Sequence, residues 1–448
     1  MIKKLLVILL FFHCSLLYGQ TVKTDVLVIG SGASGLAAAI QCARSKVKTI
    51  LAIKNYNLIS GNASNGMITI AMDQDIPTGI WGEFTKQIRD NYKNTKGYDT
   101  TQSSPLKFEA TVGASVLKKM SDTLKNLTTY LDASFSAIKK DGDRWEVRIT
   151  QNAKTITVKA RVIIDATPGG EVVAKAGAKF TGGFNNFDES AGPSVYRTSI
   201  ATGAALPGHY ANDKHSSTTA YPPYPAFCVP LTAVLLKNTD NILITERALR
   251  GDKTPQYLPV QMALGQGVGT VAAYCAFFKT TTANLKVRII QGELLDFKGY
   301  LLPFADVSPK DPSWRAIQQV SATGLLKGVQ KIAGSGSKFL FDPDSLVNTA
   351  EVKPVLTEIY TRAFLWFNRE KPGEKFTLGN LLSFISDYTL TDPQTLKISM
   401  QKAWKTQYKF NADFDLNRQV SRREFAVLTN KFLNPFARTV DLDGRLMN

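Results

Sequence analysis

The apolar positions of this chain change period along its length, and the changes predict its elements. Thr24 to Ile29 (TDVLVI) is a short β-branched run that ends in glycine, the pattern of a strand buried on both faces of a parallel sheet. Gly35 to Ser45 is rich in Ala and Leu and predicts a helix, and Val47 to Ile53 (VKTILAI) predicts a second strand. Strand, helix and strand in that order make a βαβ unit with a right-handed crossover. Residues 80–130 read as mainly helical. Leu131 to Ile138 and Trp145 to Ile149 flank the turn signal Lys140-Asp141-Gly142-Asp143 and predict a hairpin. Thr155 to Asp165 (TITVKARVIID) predicts a further strand pair, Asn241 to Thr245 a short buried strand, and Pro259 to Phe278 a helix with a glycine-rich first half. Residues 168–230, rich in Gly, Pro, Asn and Tyr, read as irregular.

Beyond residue 285 helices alternate with loops and no parallel-strand pattern recurs, with Thr280 to Asn284 as the linker. The N-terminus follows another pattern. Lys3 and Lys4 precede an apolar run, Leu5 to Leu17, too short to span a bilayer comfortably, and Tyr18-Gly19-Gln20 offers a small residue for cleavage. The expected organisation is therefore a signal peptide at 1–20, an α/β domain at 21–284 and a mostly helical domain at 285–448. Within the α/β domain, 184–228 forms an irregular substrate-side segment. The chain is expected to be exported, as a periplasmic, envelope-associated or secreted protein, with no integral membrane span after cleavage.

Composition narrows the chemistry. The 448 residues are 44% apolar and 20% charged, which suits two or three globular domains. The formal charge of +17 fits an anionic surface or substrate. No dense Lys/Arg block or zinc-finger spacing accompanies it, so nucleic acid is not an expected partner. Cys42, Cys228 and Cys275 remain after cleavage, an odd and sparse set that makes no disulfide framework. No cluster has metal-ligand spacing, and no metal is expected. His209 and His215, the only histidines beyond the leader, fall in the irregular segment and are the candidate proton-transfer residues.

Gly30-Ser31-Gly32-Ala33-Ser34-Gly35 is G-x-G-x-x-G, placed between the first strand and its helix. Gly30 allows a tight turn, Gly32 lets backbone approach a pyrophosphate, and Gly35 lets helix and sheet pack closely. The helix N-terminus then offers N–H groups and a positive dipole end to phosphate. The acid that normally ends the second strand and binds a ribose is missing: Ile53 stands there, followed by Lys54-Asn55.

The segment VLVIGSGASGLAAAIQCARSKVKTILAIKN resembles the start of the FAD-dependent oxidoreductase superfamily, in its secreted bacterial subgroup. Val162-Ile-Ile-Asp-Ala-Thr167 is similar to that family's later strand and Ala-Thr-Gly element, and Asn241-Ile-Leu with Met262 to Thr270 to its closing strand and helix. The likeness covers residues 22–280 in the family's order. It implies a FAD/NAD(P)-binding Rossmann-like fold with an inserted α+β substrate region and FAD as cofactor. The implied contacts are Gly30, Gly32, Ala33, Ser34 and Gly35 in the fingerprint, then Lys54, Asn55, Asn62, Ala63, Phe135, Ala166 and Thr167. Gln266, Gly267 and Val268 complete them, on a helix whose N-terminus points at the flavin in that family. Two further departures stand at cofactor positions: Pro168 follows Ala166-Thr167 in place of glycine, and the closing strand reads Thr245-Glu246-Arg247 where the family usually has a glycine.

The C-terminal region resembles S-layer homology modules. Phe304-Ala-Asp-Val307, Phe341-Asp-Pro343 and Val347 to Val352 form one copy, and Val420-Ser-Arg-Arg-Glu-Phe-Ala426 belongs to a second. That resemblance implies cell-envelope polysaccharide as a partner. The functional expectation is an exported FAD-dependent oxidoreductase acting on a small molecule or glycan. The alternative is a non-catalytic envelope protein that keeps the fold and binds glycan through its C-terminal domain.

Overall fold

The computed structural model describes residues 20–56, 66–71, 76–101, 104–179, 194–204, 226–249, 255–333 and 336–447. β1 (Gln20–Ile29), α1 (Ala33–Arg44) and β2 (Thr49–Ala52) are the expected βαβ unit, with β1 and β2 parallel. β3 (Met67–Ile70) and β4 (Leu106–Glu109) pair antiparallel around α2 (Gly79–Tyr92). α3 (Ala110–Asp122) leads into β5 (Leu127–Tyr130), a third parallel strand beside β2. The helical expectation for 80–130 thus holds for α2 and α3 but not for β4 and β5. β5 reads LTTY and is only half-buried, so no apolar run marks it.

β6 (Ala133–Asp141) and β7 (Arg144–Gln151) form the expected hairpin, turning at Gly142. β8 (Lys154–Asp165) is one continuous strand, a correction to the expected pair. One edge of β8 runs parallel to β1 from Ile156 to Asp165. The other changes neighbour: β7 lies antiparallel along 154–160, and the short strand after residue 241 lies parallel along 163–165. β8 thus takes three partners within one sheet, and its last four residues, VIID, are all buried.

Two short helices follow, α4 (Glu171–Lys175) and α5 (Ser194–Arg197). β9 (Ser199–Ala204) and β10 (Ala226–Pro230) then form an antiparallel pair inside the stretch read as irregular. β11 (Ile242–Ile244) is the strand that joins β8, and α6 (Leu258–Phe277) is the long apolar helix. The seven-stranded sheet runs β5-β2-β1-β8-β7-β6, with β11 on β8. This is the expected α/β dinucleotide-binding class, parallel at its centre and antiparallel at one side.

α6 crosses α1 through glycines. A Cβ at Gly265 would lie 2.1 Å from the Ser34 carbonyl oxygen, and one at Gly269 would lie 2.5 Å from that of Ala38. Contact order rises along both helices together, so the two run in the same direction. Gly265 lies level with Ser34, and the seven residues of α6 before it project about 10 Å beyond the start of α1.

The residues expected to form a linker are instead anchored. Asn241 N donates to Thr282 Oγ1 and Thr282 N to Asn241 Oδ1, each at 3.0 Å, which ties the chain back to β11. α7 (Val287–Asp296) then belongs to two cores: Val287 and Ile290 pack into the first, Leu294 and Leu295 into the second.

The remainder is helical, as expected, with one hairpin: α8 (Trp314–Ser321), β12 (Val329–Ala333), β13 (Gly336–Leu340), α9 (Thr349–Ile359), α10 (Ala363–Glu370), α11 (Leu378–Thr389), α12 (Pro393–Thr406) and α13 (Arg422–Phe432). Three backbone segments meet in a closed triangle. Val347 N donates to Val420 O, Val420 N to Phe376 O and Phe376 N to Val347 O, at 3.0, 3.0 and 3.1 Å. In each segment the next residue (Asn348, Thr377 or Ser421) is the N-cap of a helix. Thr377 and Ser421 complete capping boxes with Asn380 and Glu424. Among the described residues this loop therefore occurs three times, where the sequence pattern marked two. The copy at 376–380 carries Asn in place of the acid at the third helical position. Arg422 is buried and committed to this packing: it donates to Phe341 O at 2.8 Å and pairs with Glu351 of the first copy. Among the described residues no helix is long and apolar enough to cross a membrane.

Candidate cofactor site

The site begins where β1 ends. Gly30 has φ +124°, a conformation that L side chains rarely adopt, and its Cβ would lie 2.1 Å from the carbonyl oxygen of Ala166. At Gly35 a Cβ would lie 2.7 Å from the Ala166 side chain. The two glycines thus let the end of β8 pass against the first turn of α1, where Ala166 N donates to Ile29 O at 2.8 Å. This places Ala166 and Thr167 beside the fingerprint.

Asp165 holds the turn after β8. Its carboxylate accepts from Thr167 N at 3.0 Å, from Thr167 Oγ1 at 2.5 Å and from Val173 N at 2.9 Å. Burial pushes this carboxyl above its usual range, against those hydrogen bonds, which favour the ionised form. Pro168 follows without an N–H, and the chain turns through Gly170 at φ +72° into α4. Arg247 lies against Gly170, and its Nη1 donates to Gly169 O at 2.8 Å. The loops after β8 and β11 are joined in this way.

Gly32 is the N-cap of α1. It is extended, no side chain caps the helix, and the first turn carries no acid. An anion nevertheless sits there. A Cβ on Gly32 would lie 2.2 Å from Glu246 Oε1, and Ser34 Oγ donates to that same oxygen at 2.5 Å and reaches Thr245 Oγ1 at 2.8 Å. Glu246 is 9% exposed. The helix N-terminus therefore accepts a carboxylate from its own chain at the glycine whose missing side chain makes room. The donor set fits an anionic group, so Gly30, Gly32, Ala33, Ser34 and Gly35 would hold the pyrophosphate of a dinucleotide.

Ile53 has a structural reason. It extends the ladder between β2 and β5, with its N donating to Tyr130 O and its O accepting from Ala133 N, both at 3.0 Å, and it is 1% exposed. The carboxylate at this rim comes from the next strand instead. Asp132, at φ +52° just beyond β5, pairs with Lys54. Sequence reading missed Asp132 because β5 itself carried no signal. Asn55 is exposed beside Lys54. Phe135, on β6, is partly buried with the Lys175 ammonium 5.9 Å from its ring. Asn62, Ala63, His209 and His215 lie outside the described residues.

Gln266, Gly267 and Val268, the contacts that the resemblance implied, do not lie at the helix start. α6 starts eight residues before Gln266, and all three lie in its interior. Gln266 Oε1 accepts from Ile80 N at 3.0 Å, while its Nε2 donates to Gln41 Oε1 and to Phe297 O, each at 3.1 Å. A Cβ on Gly267 would lie 2.4 Å from Ile200 O, and Val268 is fully buried. The end of α6 that projects past α1 is Leu258-Pro259-Val260. Replacing Gln266 with leucine should strand the Ile80 N–H and the Phe297 carbonyl without water. Each costs about 1–3 kcal/mol, which urea denaturation would read as a lowered midpoint.

The cysteines take no part. Cys42, Cys228 and Cys275 are buried and unpaired to one another, and burial pushes all three thiols up, Cys275 to about 12. Cys42 Sγ donates to Gly269 O at 3.3 Å, inside the helix crossing.

A parallel sheet whose first crossover helix presents a glycine cradle to an anion defines a dinucleotide-binding protein. Residues 25–205 and 196–294 match the family model of the FAD dependent oxidoreductases. The chain belongs to that family, and its cofactor is FAD. No curated protein sequence matches the chain. Among solved structures, p-nitrophenol 4-monooxygenase PnpA from Pseudomonas putida is similar at 15% identity and a TM-score of 0.26, over 36% of this chain and 45% of that one. The flavin-dependent monooxygenase PieE, in complex with FAD and substrate, is 14% identical over 36% of this chain and 33% of that one, at a TM-score of 0.26. OxyS anhydrotetracycline hydroxylase from Streptomyces rimosus is 12% identical over 67% and 69%, at 0.35. The chain spans less than half the length of the first two.

Proposed function

We propose that this FAD-dependent oxidoreductase is exported and acts on a small organic molecule at the rim where α1 and α6 both begin. The observation that carries the reading is the pairing of these two helices: they run in the same direction, and their N-termini open at one end of the sheet, α6 about 10 Å beyond α1. Bound FAD supplies two-electron chemistry. The chain supplies position and charge. The first turn of α1 holds the pyrophosphate, Asp132 offers a carboxylate to ribose hydroxyls in place of the one absent at Ile53, and the dipole of α6 favours negative charge beyond Leu258. Lys3, Lys4 and the apolar run to Leu17 support export.

The purified full-length chain, supplied with FAD, is expected to retain it through gel filtration and to show the visible absorbance of oxidised flavin, bleached by dithionite. A chain that stays colourless after incubation with FAD would refute the reading. Fractionation of expressing cells, with mass measurement of the exported form, tests cleavage near residue 20.

A further inference from the structure

We propose that Glu246 is a built-in competitor for the FAD pyrophosphate, its carboxylate closing the first turn of α1 until the cofactor displaces it. The inference rests on the FAD reading above and adds a gate to the same site. Three observations carry it. First, the Glu246 carboxylate fills the space that glycine leaves at position 32, where a Cβ would fall 2.2 Å from Oε1. Phosphate approaching the same backbone needs that space. Second, Ser34 Oγ donates to Oε1 at 2.5 Å, so a hydroxyl suited to a phosphate oxygen is already engaged by a carboxylate oxygen. Third, the charges are alike. A carboxylate and a pyrophosphate cannot share one helix turn without repulsion, so FAD entry requires the carboxylate to leave.

The backbone around Glu246 is fixed, which confines the motion to the side chain. Thr245 N donates to Asp165 O at 3.1 Å, Ala248 N donates to Thr245 O at 2.9 Å, and Arg247 is tied to Gly169 O. A rotamer change of Glu246 thus frees both the space over Gly32 and the Ser34 hydroxyl without disturbing β11. Opening the cradle does not require the sheet to move.

The test is FAD titration of the full chain, prepared flavin-free, followed by flavin fluorescence, for the native protein, E246Q and E246A. E246Q keeps the bulk and the contact with Ser34 but removes the charge, and thermal melting checks that both variants fold. E246A is expected to bind FAD about tenfold more tightly than the native chain, the scale of one anion removed from a helix N-terminus in a partly buried site, and E246Q, which keeps the bulk, to fall between the two. Unchanged affinity in both folded variants would overturn the gate and leave the FAD reading intact. Weaker binding would also overturn it, the carboxylate then being a ligand of the cofactor. If neither the native chain nor the variants bind FAD, both readings fall.

Discussion

Replacing Gly30 with alanine is expected to destabilise the protein by about 2–6 kcal/mol and to abolish retention of FAD. Two independent costs combine: holding an L residue at such a backbone conformation costs about 1–3 kcal/mol, and overpacking costs about 1–3 kcal/mol. The overpacking is severe because the obstacle is backbone. The new Cβ would sit 2.1 Å from Ala166 O and 2.7 Å from Thr167 N. Neither atom can swing away, since β8 is paired along its length with β1 and Ala166 N donates to Ile29 O. Relief must separate the two strands at the point where the cradle forms. Urea denaturation gives the stability change, and flavin absorbance after gel filtration gives the cofactor loss. A variant of native stability would show that the turn relaxes and that the close approach of β8 is not required.

The second large effect is expected at the joint between the two cores. Arg197, at the end of α5, has a side chain only 3% exposed and a bidentate pair with Glu358 of α9 at 2.7 and 2.6 Å. It also donates to Thr323 O and Gly444 O. Burial alone would push this guanidinium down, but Glu358 holds it above its usual value. Arg288 lies close by, donating to Arg197 O at 3.3 Å, and its own guanidinium is pushed down to about 9 by burial and then by the charge of Arg197. Removing Glu358 would leave the buried Arg197 guanidinium without its carboxylate and still beside the charge of Arg288. Glu358→Ala should therefore cost about 3–5 kcal/mol, the usual result of stripping one partner from a buried pair. Glu358→Gln should lie between it and the native protein. Arg197→Met should cost less than Glu358→Ala, because the carboxylate it strands is half-exposed. Denaturation midpoints of the three variants check the order, and a midpoint unchanged in Glu358→Ala would show that the pair contributes nothing to the joint.

Much of the cofactor domain was legible because its signals are local. Gly30, Gly32 and Gly35 stand at fixed spacing between a β-branched run and an Ala-rich one, and β1, α1 and β2 follow from those patterns. What was not legible depends on distant pairing. β5 is a four-residue strand whose place beside β2 is set by the sheet. Asp132 therefore went unread, and Ile53 looked like a gap when it is an interior residue of the ladder. Glu246 was visible only as part of Thr245-Glu246-Arg247, a stretch where the family usually has a glycine. Its place over Gly32 joins residues more than two hundred apart in sequence. Gln266 lies inside α6, a position that likewise depends on distant packing. Among the glycines of α6, Gly265 and Gly269 serve the crossing with α1 and Gly267 the contact with β9. Glycine marks close approach, and sequence alone does not say what approaches.

The last described stretch of the chain returns to the cofactor domain. Val440 lies in the first core, Leu442 and Leu446 pack against it, and Gly444 O receives Arg197. During synthesis, the dinucleotide-binding half therefore cannot finish its core when its own residues emerge. It must wait for the intervening helices, on the order of 10–30 s at ordinary elongation rates. Until then the part of the first core beside α7, where Arg288 donates to Arg438 O, is without its last apolar cover.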